Sequence, residues 1–231
     1  MGKHFSRVIL VGLALLLFGL LQGWAQTDVA VSAYGAFNQS TSGAGTVQSP
    51  SNQAGFLIEA RHIKKPLVGY EATYAYNRAN QAYSSFINPP CPIGGSSFCG
   101  PTTKTAAIPA NAHEFTADWV ASLKLANLRP FALAGGGLLV DVPSGGTLTT
   151  VSCGQFNPLC HVSTTNAPTN TAIKAVFVYG AGVDWTLLPH LGLRFQYRGN
   201  LYKAPALSTA FSSTNSFTQT AEPMVGAFFR F

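Results

Sequence analysis

The sequence predicts an all-β fold in which eight antiparallel strands form an up-and-down barrel. Beyond Gln26, apolar and polar side chains alternate with a period of two, and no apolar stripe with the period of a helix has a useful length. Clusters of Gly, Pro, Asn and Ser interrupt this alternation. The interruptions are alternately long and short, so all the long connections fall at one end of the predicted barrel.

The predicted strands follow from the phase of their apolar side chains. The clearest contains Phe115 and Trp119, and only Val120 departs from its alternation. In a later strand, Gly135-Gly136-Gly137 obscures the phase and predicts a bulge or bend. In chain order, the eight predicted strands cover residues 28–37, 56–61, 68–77, 114–125, 131–142, 173–187, 191–202 and 225–231.

The predicted connections fall into two classes of length. Three are short and are centred on Lys64-Lys65-Pro66, Ala126-Asn127-Leu128 and Leu188-Pro189-His190. Four are long and cover about residues 40–53, 78–110, 143–170 and 203–216. Long connections are uncommon in compact domains unless they are functional or disordered.

The N-terminus has the three parts of a secretory signal peptide. Lys3 and Arg7 precede an apolar run over residues 8–21, and Gly23-Trp24-Ala25 supplies small residues at the positions that signal peptidase recognises. The run is shorter than the roughly 20 residues that a membrane-spanning helix needs, although a retained N-terminal anchor is the alternative. We therefore expect a signal peptide over residues 1–25 and a barrel domain over residues 26–231.

Export places the four cysteines in an oxidising compartment. Cys91 lies close to Cys99, and Cys153 lies close to Cys160, in segments rich in Pro, Gly and Ser. Four cysteines allow three pairings, and the spacing favours two disulfides, each within one loop. A metal site that includes His161, directly after Cys160, is the alternative, but the spacing of a zinc site is lacking.

Composition indicates that the apolar face of the predicted barrel contacts lipid. Charged residues make up 10% of the 231 residues, against about 25% in an ordinary soluble domain, while hydrophobic residues reach 47% and aromatic residues 12%. A soluble barrel needs a solvated outer face, yet the polar phase here consists mostly of small residues. The predicted fold class is therefore an eight-stranded antiparallel transmembrane β-barrel with long extracellular loops and short periplasmic turns.

Charged residues on the polar phase are nearly balanced in sign, so we expect them to pair inside the barrel. Charges in a narrow interior are costly unless they are paired. The predicted acidic members are Asp28, Glu59, Glu71, Glu114, Asp118, Asp184 and Glu222, and the predicted basic members are Arg61, Lys124, Lys174, Arg194, Arg198 and Arg230. Such pairs would close the lumen.

The last predicted strand is amphipathic and ends at Phe231. This ending resembles the signal that the barrel-assembly machinery recognises in Gram-negative outer-membrane proteins. With eight predicted strands, the residues after the signal peptide resemble the small outer-membrane barrel superfamily that includes the OmpA transmembrane domain, OmpX and OmpW. The resemblance concerns architecture. It implies an outer-membrane location, contact with outer-membrane lipids and lipopolysaccharide, and assembly through Phe231.

The sequence favours a non-enzymatic protein with a structural role or a role in surface interactions through its loops. A narrow channel or a conduit for small apolar ligands, as in OmpW-like barrels, is the alternative, because Gly and Ala at inner positions would leave space. A more remote alternative is a lipid A-modifying enzyme. His161 and Ser163 have the His-x-Ser spacing of lipid A deacylase barrels, but they lie far from any acidic residue in the sequence.

No cofactor or metal is expected, because the sequence contains no nucleotide-binding, nucleophile or convincing metal-ligand motif. The net charge of +6 does not indicate nucleic-acid binding, since the basic residues are dispersed rather than gathered into one patch. Arg78, Lys104 and Lys203 lie on the loop side, where they could meet lipopolysaccharide phosphates. We expect a monomer, with any extracellular ligand unspecified.

Overall fold

The computed structural model describes residues 26–64, 67–88, 100–154 and 160–231. The predicted signal peptide, Cys91 and Cys99 lie outside these residues. No helix in the described ranges is long and apolar enough to cross a membrane.

Eight long strands form a closed antiparallel barrel, as the alternation predicted. Neighbours along the barrel follow the chain, and the first strand closes it by pairing with the last, for example Val29 with Phe229. The barrel strands are β1 (Gln26–Asn38), β4 (Gln53–Ile63), β5 (Val68–Arg78), β8 (Ala110–Ser122), β9 (Leu128–Pro143), β12 (Ala172–Leu188), β13 (Leu191–Lys203) and β14 (Phe217–Arg230). At the turn end the connections are short, and only Pro189 and His190 separate β12 from β13.

The two faces of the barrel differ in the way that a membrane requires. Large apolar side chains point outward, and Trp119 and Phe177 are 70% and 51% exposed. Aromatic residues occupy the outer face towards both ends of the strands, with Trp185 near the turns and Phe217 near the loops. Charged and polar side chains point inward and are buried. This arrangement is that of a transmembrane β-barrel.

The bulge predicted at Gly135-Gly136-Gly137 is wrong. Strand β9 runs through these glycines and keeps continuous register with β8 and β12. Gly135 and Gly137 are required by close approach instead. A Cβ atom at Gly135 would lie 2.2 Å from Oδ1 of Asp118, and one at Gly137 would lie 1.8 Å from the carbonyl oxygen of Phe115.

Three of the four long connections contain strands that the sequence did not predict. Together they form a six-stranded antiparallel sheet at the loop end, in the order β11-β10-β7-β6-β3-β2. These strands are β2 (Thr41–Gly43), β3 (Thr46–Pro50), β6 (Gln81–Ile87), β7 (Thr102–Ile108), β10 (Thr147–Cys153) and β11 (Cys160–Asn166). The predicted disulfide between Cys153 and Cys160 is confirmed and joins β10 to β11.

The fourth connection, residues 204–216, is called loop 4 and packs against the inner face of this sheet. Leu207 and Phe211 of loop 4 are buried in a cluster with Tyr83 of β6 and Ile108 of β7. The Tyr83 hydroxyl donates to the carbonyl oxygen of Pro205 at 2.9 Å and accepts from the amide of Leu207 at 3.0 Å. One buried side chain therefore fixes both the backbone and the apolar residues of loop 4.

Burial raises the pKa of Tyr83 to about 12, from an ordinary value of 10.0. The neutral hydroxyl is the form that donates to Pro205, so it is favoured in the folded protein. Because the folded pKa is raised, the stability that this group contributes is complete below pH 10. It is lost as pH rises through about 12.

We predict that Tyr83→Phe loosens loop 4. The substitution removes two hydrogen bonds and leaves the buried amide of Leu207 without its acceptor, which costs about 1–3 kcal/mol. Limited proteolysis of the protein in detergent should show faster cleavage in residues 204–216, and the increase in cleavage between pH 10 and 12 should disappear. Ser84→Ala, on the opposite face of β6, is the control; equal cleavage of the two variants would contradict the role of Tyr83.

Candidate functional site

All eight acidic residues of the chain are buried inside the barrel. They are Asp28, Glu59, Glu71, Glu114, Asp118, Asp141, Asp184 and Glu222, each at most 5% exposed. Every exposed side-chain charge is consequently positive. The lumen therefore holds the candidate site, and its charges fall into two groups at different heights.

The group nearer the turns, the turn-end layer, consists of Asp28, Glu59, Arg61, Glu71, Asp184 and Arg194. Arg61 of β4 binds Glu71 of the adjacent strand β5, with Nη2 2.8 Å from Oε2. Its Nη1 also lies 3.4 Å from Oδ2 of Asp184. Because β12 lies on the opposite side of the eight-stranded barrel from β4, the contact with Asp184 spans the lumen.

Arg194 of β13 completes the turn-end layer. Its Nε lies 2.6 Å from Oδ1 of Asp184, and its Nη2 lies 2.9 Å from Oδ1 of Asp28. Its Nη1 contacts the carboxylate of Glu59. Arg61 and Arg194 thus bind four carboxylates from four strands, and the side chains of both arginines are fully buried.

Two aromatic rings pack against these guanidiniums. The guanidinium carbon of Arg61 lies 4.0 Å from the centre of the Phe131 ring, and that of Arg194 lies 5.4 Å from the centre of the Phe228 ring. These distances are those of cation–π contacts. Gly182 accommodates Phe131, since a Cβ there would lie 2.6 Å from the tip of the ring.

The second group, the loop-end cluster, is built around Arg198 and Asn200 of β13. Nη2 of Arg198 lies 3.1 Å from Oε1 of Glu114 and 3.9 Å from Oδ2 of Asp118. The amide nitrogen of Asn200 donates to Oε2 of Glu114 at 2.7 Å and to Oε1 of Glu222 at 3.1 Å. A single amide therefore holds two carboxylates close together.

A cavity lies above the loop-end cluster and extends towards the loops. Its volume, measured to the centres of water-sized molecules, is about 30 Å³. Charged lining comes from Arg78, Glu114, Asp141 and Glu222, and further lining comes from residues that include Asn77, Asn200 and Leu139. The lumen is thus filled in its turn-end half and partly open in its loop-end half.

The remaining predicted lumen residues lie at the ends of the barrel or outside it. Lys124 is exposed in the turn after β8, so its predicted place in the lumen is wrong. Lys174 is half-buried and Arg230 is buried, but neither has a carboxylate within 4.0 Å in the described part of the chain. Phe231 is exposed after β14, and its amide donates to the carbonyl of Thr27 at 3.0 Å.

Sequence reasoning missed Asp141 and Arg129 as lumen residues. Asp141 is 1% exposed and Arg129 is 8% exposed. Arg129 crosses the turn-end opening and donates to the side-chain oxygen of Gln26. Its position two residues before Phe131 would have placed it on the inner face if β9 had been extended to residue 128.

His161 and Ser163 lie on β11, where every residue is exposed. All the carboxylates are in the lumen, so neither residue has an acidic partner. The disulfide to Cys153 also removes Cys160 as a thiolate ligand. Among the described residues, no three His, Cys, Asp or Glu side chains are close enough together to hold a metal ion.

Sequence comparisons and structure comparisons give different results. No family model matches the chain, and no curated protein is significantly similar to it in sequence. Neisserial surface protein A is 13% identical with a TM-score of 0.47, covering 91% of this chain and all of that one. The Ail protein of Yersinia pestis, solved with the heparin analogue sucrose octasulfate, is 13% identical with a TM-score of 0.43, covering 90% and 99%.

The outer membrane protein OprG of Pseudomonas aeruginosa is 11% identical with a TM-score of 0.42, covering 90% of this chain and 96% of that one. The predicted resemblance to small outer-membrane barrels is confirmed at the level of the fold, on the closed eight-stranded barrel described above.

We predict that Arg61→Ala destabilises the barrel by about 3–5 kcal/mol, because it leaves buried carboxylates without their cation. Urea unfolding in lipid vesicles, followed by tryptophan fluorescence, measures the change. Lys124→Ala is the control and should change stability by less than about 0.5 kcal/mol, since Lys124 is exposed. Similar losses in the two variants would show that the turn-end layer contributes no special stability.

Proposed function

We propose that the chain is a non-enzymatic outer-membrane protein, exported by a signal peptide over residues 1–25, whose lumen is closed to ions. Its role is structural, together with surface contacts made by the extracellular sheet and the loop-end cations. The observation that carries this proposal is the turn-end layer. Two buried guanidiniums bind four carboxylates there, across the full width of the lumen.

An eight-stranded barrel encloses an interior that is only wide enough for side chains or one small ligand. In the turn-end layer those side chains are charged, paired and stacked on Phe131 and Phe228. An ion that crossed this layer would have to separate ion pairs in a region of low dielectric constant, where they are strongly held. This supports a closed barrel over a narrow channel.

One observation favours the channel as a second candidate. The cavity in the loop-end half shows that the lumen is not filled along its whole length. Conduction would additionally require the turn-end layer to rearrange. The closed barrel and the narrow channel therefore differ in whether that layer opens.

The distribution of charge supports contact with lipopolysaccharide in the outer leaflet. Because every acidic side chain is buried, no acidic side chain is exposed beside the loop-end cations. Lys203 points outward beside Phe217, with Nζ 5.8 Å from the ring centre. Arg78 is exposed and is paired in register with Asn111, which accepts a hydrogen bond from the Tyr76 hydroxyl at 3.0 Å. Exposed cations at a membrane surface, with Lys203 beside a ring, suit phosphate-bearing headgroups.

One further partner and the oligomeric state complete the proposal. The barrel-assembly machinery would recognise the last strand through Phe231, and the mature chain would act as a monomer. The exposure of His161 and Ser163, far from any carboxylate, supports the absence of lipid A-modifying activity.

We predict that the refolded protein gives no reproducible conductance steps in planar lipid bilayers. Arg194→Ala should produce cation-selective steps, because it removes a guanidinium from the layer and leaves its carboxylates in place. Lys124→Ala, with its change outside the lumen, should remain silent. Regular steps from the unmodified protein would contradict the closed barrel and favour the channel.

We also predict that Arg78→Gln combined with Lys203→Gln weakens lipopolysaccharide binding by about tenfold, or ~1.4 kcal/mol. Binding to the detergent-solubilised protein can be measured by isothermal titration calorimetry, and the difference should shrink as salt rises. Lys64→Gln combined with Lys124→Gln removes the same charge at the turn end and should have no effect. If both pairs weaken binding equally, net charge rather than a loop-end site is responsible.

A further inference from the structure

The loop-end half of the lumen has a surplus of negative charge. Four carboxylates are buried there, those of Glu114, Asp118, Asp141 and Glu222, and the only buried guanidinium beside them in the described structure is that of Arg198. Lys174 and Arg78 lie at the rim and are more exposed, and Arg78 also lines the cavity described above. Four carboxylates therefore face three cations, of which only Arg198 is buried, and solvent screens the other two. Buried charge without a counter-charge is unfavourable, which makes this half of the lumen attractive to a cation.

The surplus is confined to the loop-end half. Towards the turns, the four carboxylates of the turn-end layer are matched by Arg61 and Arg194 in direct contact, and by Arg129 and Arg230 at the opening. The two halves therefore differ in net charge although they share the same strands.

Unpartnered buried oxygen atoms occur in both halves of the lumen, and in the loop-end half they belong to side chains that line a cavity. Oε2 of Glu222, Oδ2 of Asp141 and Oδ1 of Asn200 are buried, and none accepts a hydrogen bond within the described residues. All three side chains line the cavity, and they are 3%, 1% and 2% exposed. Buried hydrogen-bond acceptors normally have partners. Three such oxygens lining one cavity therefore indicate that the cavity holds a partner for them, either a donor or a cation.

The orientation of Asn200 is set by its neighbours. Its amide nitrogen donates to Glu114 and Glu222, and the reverse orientation would bring the amide oxygen against two carboxylates. The amide oxygen is therefore directed away from Glu114 and Glu222 as a neutral ligand. The cavity lining thus offers this oxygen together with carboxylate oxygens of Glu222 and Asp141, which are the ligands that hard cations prefer, beside the guanidinium of Arg78 at the rim.

We propose that this cavity binds a small cation that keeps part of its water shell. A water molecule needs roughly 10–15 Å³ of such volume, so a cavity of about 30 Å³ has room for an ion with one or two waters. Water must supply some of the ligands, because the described residues contain no cluster of three acidic, His or Cys side chains able to chelate a metal. The same chemistry suits an inorganic ion or a small ammonium group.

The test uses the refolded full chain without its signal peptide, in zwitterionic detergent, with choline chloride keeping the ionic strength constant. Choline is too large for the cavity. Potassium, sodium, calcium or methylammonium chloride then replaces choline stepwise, and the unfolding midpoint is followed by circular dichroism. A ligand at one hundred times its Kd raises the folded-to-unfolded ratio about 100-fold, so a saturable rise in midpoint is expected.

Two variants locate the effect. Glu222→Gln and Asp141→Asn keep the shape of each side chain but remove a charge, and each should raise the apparent Kd at least tenfold. Asp28→Asn removes a carboxylate from the turn-end layer and should retain the response, measured against its own midpoint in choline. The titration of the unmodified protein stands even if a variant fails to fold.

Stabilisation by one of the four small cations, lost in Glu222→Gln or Asp141→Asn, supports the site, and the effective cation distinguishes an inorganic ion from an ammonium group. No difference from choline would overturn the proposal, as would an equal loss of response in Asp28→Asn. The midpoint is measured in detergent and is independent of conductance, so this result and the bilayer result can fail separately.

Discussion

The pairing of buried charges inside a narrow closed barrel is the constraint on which the rest of the structure depends. Eight strands leave room only for side chains, so each inward position must hold a group that its opposite neighbours can satisfy. Arg61 and Arg194 meet this condition by each binding carboxylates from several strands. The same constraint explains the glycine at position 182. Gly182 leaves room for the ring of Phe131, on which Arg61 stacks.

Burying every carboxylate also determines the outer surface. Once the acidic residues are used in the lumen, the exposed charges are cations at the two rims, and the belt between them is apolar. Both features suit a bilayer with phosphate headgroups. The charge content of the sequence is thus low because the charged side chains that the structure describes occur in two places. They lie inside the lumen, where acidic and basic side chains pair, and at the two rims, where cations can meet headgroups.

Alternation predicted the barrel because lipid demands a large apolar side chain at every second position, a pattern that survives in a single sequence. The partners of Arg61 could not be predicted, since contact with Asp184 depends on register and closure around the barrel. The six-stranded sheet at the loop end could not be predicted for a different reason. Its strands, such as Thr102–Ile108, carry Thr and Ala on both faces, and one face packs on loop 4 rather than on lipid.

The two halves of the lumen share the same strands but differ in charge pairing, because a buried carboxylate can be paired only by a guanidinium within its own reach. In the turn-end layer each carboxylate contacts a guanidinium, and these contacts support the proposal that the layer is closed to ions. Above it, Arg198 is shared between Glu114 and Asp118, and neither Glu222 nor Asp141 contacts a guanidinium within 4.0 Å among the described residues. Under the two proposals, a cation would enter the cavity from the loop side without crossing the turn-end layer, so binding of a cation there is compatible with a barrel that does not conduct.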